Sequence, residues 1–215
     1  MLIIGLTGSI AMGKSTVAGF FKAAGVPATS ADEIVHDLYE GRAADLIGAK
    51  FKGSLKQGKV DRARLMDILN TGTKDEITHN FRALEAIIHP LVREEEWNFL
   101  KNTKQQGAAM AVIDIPLLFE TGSEVMMDVV VLASAPIEIQ QKRALERHGM
   151  TIEKFNALNA RQMDDQIKRE KADFVIDTGC TLAETERAVK RLIERLETKP
   201  SSAYIRWHDQ FGDNV

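Results

Sequence analysis

The N-terminal segment of the chain places a glycine-rich loop between an apolar run and a helical pattern. LIIGL (2–6) has the short, β-branched apolar character of a strand that is buried on both faces. KSTVAGFFKAA (14–24) has helical spacing and is followed by Gly25, a residue type that commonly ends helices. The chain therefore begins with strand, loop and helix in that order, which is the first half of a βαβ unit.

The loop has the spacing Gly8-x4-Gly13-Lys14-Ser15. Glycines let the backbone wrap so that successive N–H groups point at phosphate oxygens, and the following helix presents its positive end to the same anion. Lys14 can reach the β- and γ-phosphates of a nucleotide, the Ser15 hydroxyl can ligate Mg2+, and Thr16 lies near the α-phosphate. A tight turn without a ligand leaves Lys14 and Ser15 unexplained, so the pattern predicts a nucleotide-binding loop.

Four further apolar runs alternate with helical patterns and are predicted to be strands. They are VPATS (26–30), MAVIDI (110–115), DVVVLA (128–133) and DFVID (173–177). With the first strand they predict an α/β protein of the P-loop NTPase type. It has three layers, α/β/α, of which the middle one is a five-stranded parallel sheet. A helical substrate-binding insertion and a lid are added to these layers.

Composition restricts the class of protein. The 215 residues allow one core domain, and the net charge of -3 argues against a chain that coats nucleic acid or an anionic membrane. Cys180 is the single cysteine, so no intrachain disulfide forms, and a small half-buried role is expected for it. The apolar N-terminus is interrupted by Gly5 and Gly8 and reaches Lys14 too soon for a signal peptide or membrane span. We expect a cytoplasmic protein that is a monomer or weak homo-oligomer.

Two segments do not fit simple crossovers between strands. The segment 61–104 is helical in pattern but contains Pro90, which should kink or divide a helix. The segment 142–171 carries eight Lys or Arg against five Asp or Glu, and is either a cationic lid or a solvated helix pair. Four parts are predicted. The nucleotide-binding core comprises 1–60, 105–141 and 172–198. The helical substrate-binding region is 61–104, the lid is 142–171 and the tail is 199–215.

Asp32 follows the second predicted strand in the segment SADEIVHDLY. A carboxylate at the carboxyl end of that strand can accept a proton from a substrate hydroxyl as the hydroxyl attacks the γ-phosphorus. Asp32 could equally be the N-cap of a helix that begins near Glu33. The two roles are compatible in one carboxylate.

The third predicted strand, MAVIDI (110–115), is followed by PLLFETG (116–122). Asp114 stands near the strand end, where ligands bind in open α/β sheets, and it can hold a magnesium-bound water or serve as a turn carboxylate. Pro116, Leu117 and Leu118 could cover a substrate with apolar surface. Glu120 is a further site candidate.

Three arginines are candidates for contacts with phosphates. Arg143 and Arg147 lie four residues apart, hence on one face of a helix, and could stabilise the charge of the transferring phosphoryl group. They could also pair with Glu146 or Glu153 on a solvated face. Arg161 is a third candidate, from the same lid.

Other users of a phosphate loop are less compatible with the sequence. A regulatory GTPase would carry a guanine-reading NKxD segment, which is absent, and a motor ATPase usually carries an acidic pair where Asp114 stands alone. Phosphoryl transfer to a small molecule is favoured. The alternatives left are a kinase for another hydroxylated metabolite or nucleoside monophosphate, and a regulatory module that hydrolyses ATP slowly.

An ordered set of motifs resembles the dephospho-CoA kinase family. Besides the N-terminal loop, the set consists of ADEIVH (31–36), LEAIIHP (84–90), DIPLLFETG (114–122), QQKRALERHGMT (140–151) and ADFVIDTG (172–179). The resemblance is collinear from residue 2 to about 196. It implies ATP-dependent, Mg2+-assisted phosphorylation of the ribose 3′-hydroxyl of dephospho-CoA, with a nucleotide core, a CoA-binding helical part and a lid.

The same resemblance assigns individual roles. It implies a catalytic aspartate at Asp32, an ATP loop over Ala11, Met12, Gly13, Lys14, Ser15 and Thr16, and a lid arginine at Arg143. His89 falls in the helical region associated with dephospho-CoA, where it either contacts substrate or packs beside Pro90. The loop departs from the usual family sequence at Ser9, Ala11 and Met12, where glycine, glycine and serine are common. Ser30 and Thr178 stand where Asp and Asn are frequent.

Overall fold

A computed structural model describes residues 1–212 of the chain. Within them the strands are β1 (Leu2–Thr7), β2 (Ala28–Ser30), β3 (Leu55–Lys56), β4 (Lys59–Val60), β5 (Met110–Asp114), β6 (Val129–Ser134) and β7 (Phe174–Asp177). The helices are α1 (Lys14–Ala23), α2 (Ala31–Glu40), α3 (Arg42–Lys50), α4 (Arg62–Leu69), α5 (Lys74–Gln105), α6 (Ile137–Leu145), α7 (Ile152–Asn159), α8 (Asp165–Lys171), α9 (Leu182–Leu196) and α10 (Ala203–Phe211). A 3-10 helix spans Ser123–Met126.

The larger compact unit comprises 1–30 and 99–214, of which the structure describes residues up to 212. Its five-stranded sheet is parallel throughout and has the order β2-β5-β1-β6-β7. The predicted α/β fold is confirmed. Because β1 lies between β5 and β6, the loop that follows β1 emerges at the centre of the carboxyl edge, where open α/β sheets bind ligands.

Alternating β1 side chains face the two layers on either side of the sheet, as the strand period requires. Leu2, Ile4 and Leu6 join an apolar core with residues of α1 and α9, including Phe21 and Val189. On the opposite face α10 packs against β1. The sequence therefore buries β1 on both faces, which explains its continuous apolar run.

Close packing over the sheet depends on a missing side chain at Gly5. A Cβ added there would lie 2.6 Å from Leu118 Cδ1 and 2.8 Å from Met127 Cγ. The segment after β5 can approach β1 only because residue 5 is glycine.

The smaller compact unit comprises 31–98. Its core joins the helices α2, α3, α4 and α5 through Ile34, Ile47, Leu65 and Ile88. The sequence placed the helical region at 61–104, but α2 and α3 share this core and so the unit begins at Ala31.

Helix α5 runs without interruption across Pro90, so the predicted division of the helix does not occur. Proline removes the N–H that would bond to the carbonyl of Ala86. Both Pro90 and Ala86 are exposed, and water can satisfy that carbonyl.

The segment after Lys199, expected to be a tail, contains the helix α10. Its start is held by Asp128, whose Oδ1 accepts from the N–H groups of Ser202 and Ala203 at 2.7 Å each. Trp207 is fully buried, and its Nε1 donates to the carbonyl of Met126 at 2.9 Å. The part of the tail at 213–215 lies outside the described residues.

Replacing Trp207 with alanine is expected to lower the free energy of unfolding by about 3–5 kcal/mol, since a buried aromatic side chain is lost and a cavity is left. Ile205→Ala is the matched control in the same helix, because Ile205 is 62% exposed and its loss should change stability by no more than about 0.5 kcal/mol. Urea unfolding of both variants is the measurement. Equal midpoints for Trp207→Ala and wild type would contradict this account of α10.

Candidate active site

The glycine-rich loop spans from the carboxyl end of β1 to the first residue of α1. A Cβ added at Gly8 would lie 2.5 Å from the carbonyl oxygen of Ala133, so only glycine fits there. Gly13 has φ 79° and an added Cβ would lie 3.0 Å from Thr178 Cβ. Both glycines are thus required by close approach of backbone to the neighbouring strand ends.

The N-terminus of α1 offers an anion-binding site. Gly13 is the N-cap residue and provides no side-chain cap, and no acidic residue lies in the first turn. The first N–H groups of a helix have no intrahelical acceptor and carry partial positive charge. Ser15 is exposed at this end of the helix and Thr16 is half-buried. The arrangement suits a phosphate group, with a hydroxyl beside it.

Lys14 and Asp114 form an ion pair at the carboxyl end of the sheet. Lys14 Nζ donates to Asp114 Oδ1 at 2.5 Å. Asp114 is the last residue of β5, it is buried, and it lies in register with Leu6 of β1 and Ser30 of β2. A buried carboxylate needs such compensation. The pairing places Asp114 beside the lysine of the loop.

Arg143 reaches the loop through Thr178, a residue whose role the sequence did not indicate. Arg143 Nη2 donates to the Thr178 carbonyl at 2.6 Å, and Nη1 to its hydroxyl at 3.3 Å. Thr178 Oγ1 in turn donates to the carbonyl of Met12 at 2.8 Å. The guanidinium is therefore held next to the loop backbone. Thr178 is the connecting residue.

Met12 contributes to the loop through its backbone and through packing. Its side chain is buried, and its sulfur accepts from the N–H of Ala135 at 3.1 Å. Ala11 is also buried and packs with Ala144 and Phe155 of the neighbouring helices. Beside the loop lies a cavity of about 540 Å³ that Ser9 and Met12 line together with residues of α6 and of the segment 159–166.

The two other arginines lie outside helices. Helix α6 ends at Leu145, so Arg147 stands in the turn that follows and is exposed. The prediction that Arg143 and Arg147 share one helical face is therefore wrong. Arg161 is exposed in the turn after α7. Both belong to the segment 142–171, which contains the last turn of α6 and the whole of α7 and α8.

The apolar triplet after β5 divides between surface and core. Leu117 is exposed and Pro116 half-buried. Leu118 is fully buried against β1, as its approach to Gly5 shows. This burial contradicts the prediction that Leu118 covers a ligand. Cys180 also differs from its expectation, since it is exposed rather than half-buried.

Two predicted residues belong to the smaller unit. Asp32 is exposed in the first turn of α2, which begins at Ala31, so Asp32 is inside the helix and the N-cap interpretation is wrong. His89 is exposed on α5.

Glu120 anchors the segment after β5 to α8. Its Oε1 lies 2.9 Å from Nζ of the fully buried Lys168 and accepts from the N–H of Met163 at 2.7 Å. Burial opposes ionisation of Glu120, but the ion pair with Lys168 and the hydrogen bond from Met163 outweigh it and hold the pKa of this carboxyl below its ordinary value. Glu120 therefore has a structural role in this arrangement.

Replacing Glu120 with glutamine is expected to cost about 3 kcal/mol at neutral pH, because the buried ammonium of Lys168 loses its carboxylate. The expected cost is at the low end of the range for breaking a buried ion pair because the Glu120 side chain is 18% exposed.

The same substitution should change how stability depends on pH. Because the pKa of Glu120 is lowered in the folded state, its ionisation stabilises the fold at pH values above the unfolded pKa, and this stabilisation is lost as pH falls through the folded pKa. The gap in melting temperature between wild type and Glu120→Gln should therefore narrow as the pH is lowered below 4.5, the ordinary pKa. Glu194→Gln, at an exposed position of α9, is the control. A gap that persists unchanged at low pH would contradict the assignment.

Within residues 1–212, no three side chains of His, Cys, Asp or Glu lie close enough together to hold a metal ion. Within the same residues, none of the helices is both long enough and apolar enough to cross a membrane.

The sheet order, the loop after its central strand and the lysine at the head of α1 define a P-loop kinase fold. The sequence model described as dephospho-CoA kinase matches residues 2–184. The chain belongs to the dephospho-CoA kinase family.

Individual relatives agree with this assignment. The dephospho-CoA kinase of Brucella melitensis is 49% identical over 203 residues, which cover 94% of this chain and 99% of that protein. The crystal structure of TT1252 from Thermus thermophilus has a TM-score of 0.76 at 31% identity and covers 91% of this chain and 97% of its own. The dephospho-CoA kinase structure from Campylobacter jejuni has a TM-score of 0.66 at 28% identity, with coverages of 91% and 96%.

Proposed function

We propose that the chain transfers the γ-phosphoryl group of ATP to the ribose 3′-hydroxyl of dephospho-CoA and so forms coenzyme A and ADP, the final step of CoA biosynthesis. The observation that carries the proposal is the family's phosphate loop, present here with Lys14 held at the end of β5 by Asp114. ATP is proposed to bind along Gly8 and the loop residues Ala11, Met12, Gly13, Lys14, Ser15 and Thr16.

The transfer is an in-line displacement. The 3′-oxygen bonds to the γ-phosphorus, the bond from that phosphorus to the β,γ-bridging oxygen breaks, and ADP leaves. Asp32 accepts the proton of the attacking hydroxyl. Its exposed carboxylate at the start of α2, two residues beyond β2, supports this role. Lys14 and Arg143 stabilise the charge on the phosphoryl oxygens.

The donors beside the loop suit Mg2+. Magnesium prefers oxygen ligands and is commonly held by one or two protein groups together with phosphates and waters. The exposed Ser15 hydroxyl and the buried Asp114 carboxylate are oxygen donors of that kind, and Asp114 already lies against Lys14. When bound, the ion would neutralise charge on the β- and γ-phosphate oxygens.

Contacts with the acceptor remain proposals for several positions. His89, Pro116 and Leu117 are proposed to contact dephospho-CoA, and exposure of His89 and Leu117 leaves them accessible. Arg147 and Arg161 are proposed to contact ATP and substrate respectively, from a lid over 142–171 that closes to exclude water. The helical region is proposed to bind the CoA portion.

Three further predictions concern the protein as a whole. We expect it to be cytoplasmic, to act without nucleic acid, and to be a monomer or weak homo-oligomer.

The test compares acceptors. ADP release from ATP is measured with Mg2+ and dephospho-CoA, with a nucleoside monophosphate, with shikimate, and with no acceptor. The proposal expects saturable release with dephospho-CoA alone. Saturation by another acceptor, with indifference to dephospho-CoA, would favour a different metabolite kinase. Release that no acceptor accelerates would favour a regulatory ATPase.

A further inference from the structure

Two glutamine side chains hold the backbone of Ile10 in the loop through both of its peptide groups. Gln162 Oε1 accepts from the Ile10 N–H at 2.9 Å. Gln140 Nε2 donates to the Ile10 carbonyl at 2.8 Å and to Asn159 Oδ1 at 3.3 Å. Gln140 is only 1% exposed. A buried amide is retained where it makes hydrogen bonds, so this contact is a specific feature of the loop rather than a surface contact.

The residue next to Ile10 has an unfavourable backbone conformation. Ala11 has φ 60°, in the left-handed region that side chains with a Cβ rarely adopt. Such conformations persist only where the surroundings enforce them. Ala11 is packed against Ala144 and Phe155, with Ile10 at the edge of the same cluster. Packing confines the side chains, while the two glutamines fix the peptide groups on either side of Ile10.

The same glutamines lie beside the arginines assigned to phosphates. Gln140 is on α6 with Arg143, and Gln162 directly follows Arg161. The hydrogen bonds to Ile10 therefore connect the loop to the segments that carry these cations. A change in one of these contacts alters the loop and its distance from the arginines together.

We propose that Gln140 and Gln162 are positioning residues for ATP. By holding the Ile10 peptide they keep Ala11 in its left-handed conformation and the loop N–H groups aimed at the phosphates. The inference rests on the proposed function, since ATP is the ligand that the loop is taken to bind. It adds two residues that act through the backbone of the loop.

The two positions have opposite hydrogen-bonding requirements, which gives a sharp test. Position 140 must donate and position 162 must accept. Gln140→Met and Gln162→Met remove both abilities at nearly constant size, whereas Gln162→Glu keeps the accepting oxygen. The dissociation constant of Mg-ATP is measured by calorimetry on the full chain, and melting temperature without ligand is recorded. Gln141→Met, one residue further along α6, is the matched control.

Loss of either bond is expected to weaken ATP binding about tenfold, the scale of one hydrogen bond to a buried group. Gln162→Glu and Gln141→Met should stay within about threefold of wild type, as expected when no hydrogen bond is lost. The KM for ATP should rise while the KM for dephospho-CoA stays constant. If Gln140→Met does not fold, the pair of variants at the half-buried position 162 carries the test.

A second-site variant separates positioning from general stability. Glycine adopts positive φ without the steric cost that alanine bears. Ala11→Gly combined with Gln162→Met should therefore recover most of the lost ATP affinity, although the hydrogen bond stays absent. Wild-type affinity in both methionine variants, equal loss in Gln162→Glu and Gln162→Met, or no recovery with Ala11→Gly would each overturn the proposal.

The calorimetric readout requires no acceptor, so the two proposals fail separately. A chain that binds ATP, responds to these substitutions as expected and forms no CoA would refute the proposed function alone. A chain that forms CoA but ignores the substitutions would refute the positioning role alone.

Discussion

Replacing Asp32 with asparagine is expected to lower kcat for CoA formation by about 10³-fold, within the range that a general base contributes. Asparagine preserves the size of the side chain but cannot take the proton of the 3′-hydroxyl. The KM for ATP should change by no more than about twofold, because the carboxylate acts on the acceptor rather than on the nucleotide. Steady-state kinetics with dephospho-CoA and ATP varied separately make the measurement.

Glu33→Gln is the matched control for Asp32→Asn. Glu33 is the neighbouring exposed acid in the same first turn of α2, so both substitutions remove one negative charge from the same helix end. The helix-dipole contribution, about 0.3–1 kcal/mol to stability, is shared by the two variants. If Asp32→Asn and Glu33→Gln retain equal, near-normal turnover, Asp32 is not the base.

Replacing Lys14 with methionine is expected to have two separable effects. Turnover should fall by about 10³-fold, since one preorganised cation at the phosphoryl oxygens is lost. Stability should also fall, by about 1–3 kcal/mol, since the buried Asp114 loses one of its partners, the ammonium of Lys14. Kinetics and urea unfolding of the same preparation measure the two effects.

The double variant Lys14→Met with Asp114→Asn distinguishes these effects. Removing the charge of Asp114 lowers the cost of its losing the Lys14 ammonium, so stability should return toward that of wild type. Activity should stay low because the catalytic cation is still absent. Recovery of activity together with stability would mean that Lys14 serves only to neutralise Asp114.

The sheet and the phosphate loop were predictable because their signals are local. LIIGL and the other apolar runs are strands, and the pair Thr181 and Glu184, which has the spacing of a capping box, forms one at the start of α9. Each of these features is decided within a few residues of sequence. The capping box requires only one turn of helix.

The contacts that organise the site were not predictable from such patterns. Lys14 and Asp114 are 100 residues apart in the chain, and Gln162 lies 152 residues from Ile10. Their pairing depends on the strand order, which places β5 and β6 beside β1. Polar residues at these positions have the same appearance in sequence as residues of a solvated surface.

The errors have identifiable physical causes. The spacing of Arg143 and Arg147 presupposed a helix that continues, whereas α6 ends at Leu145. Burial of Leu118 depends on the space above Gly5, a distant residue. Helix α10 was missed because its apolar face is short: of its nine residues, Ala203 and Trp207 are buried, four positions apart, and contacts with Asp128 and Met126 hold the helix.

The most direct test of the central claim is the mass and phosphate position of the product formed from ATP and dephospho-CoA in the presence of Mg2+. The account predicts CoA, heavier than the acceptor by one phosphate carried at the ribose 3′ position, formed in equal amount to ADP. Formation of ADP without phosphorylated acceptor, or phosphorylation at another hydroxyl, would contradict it.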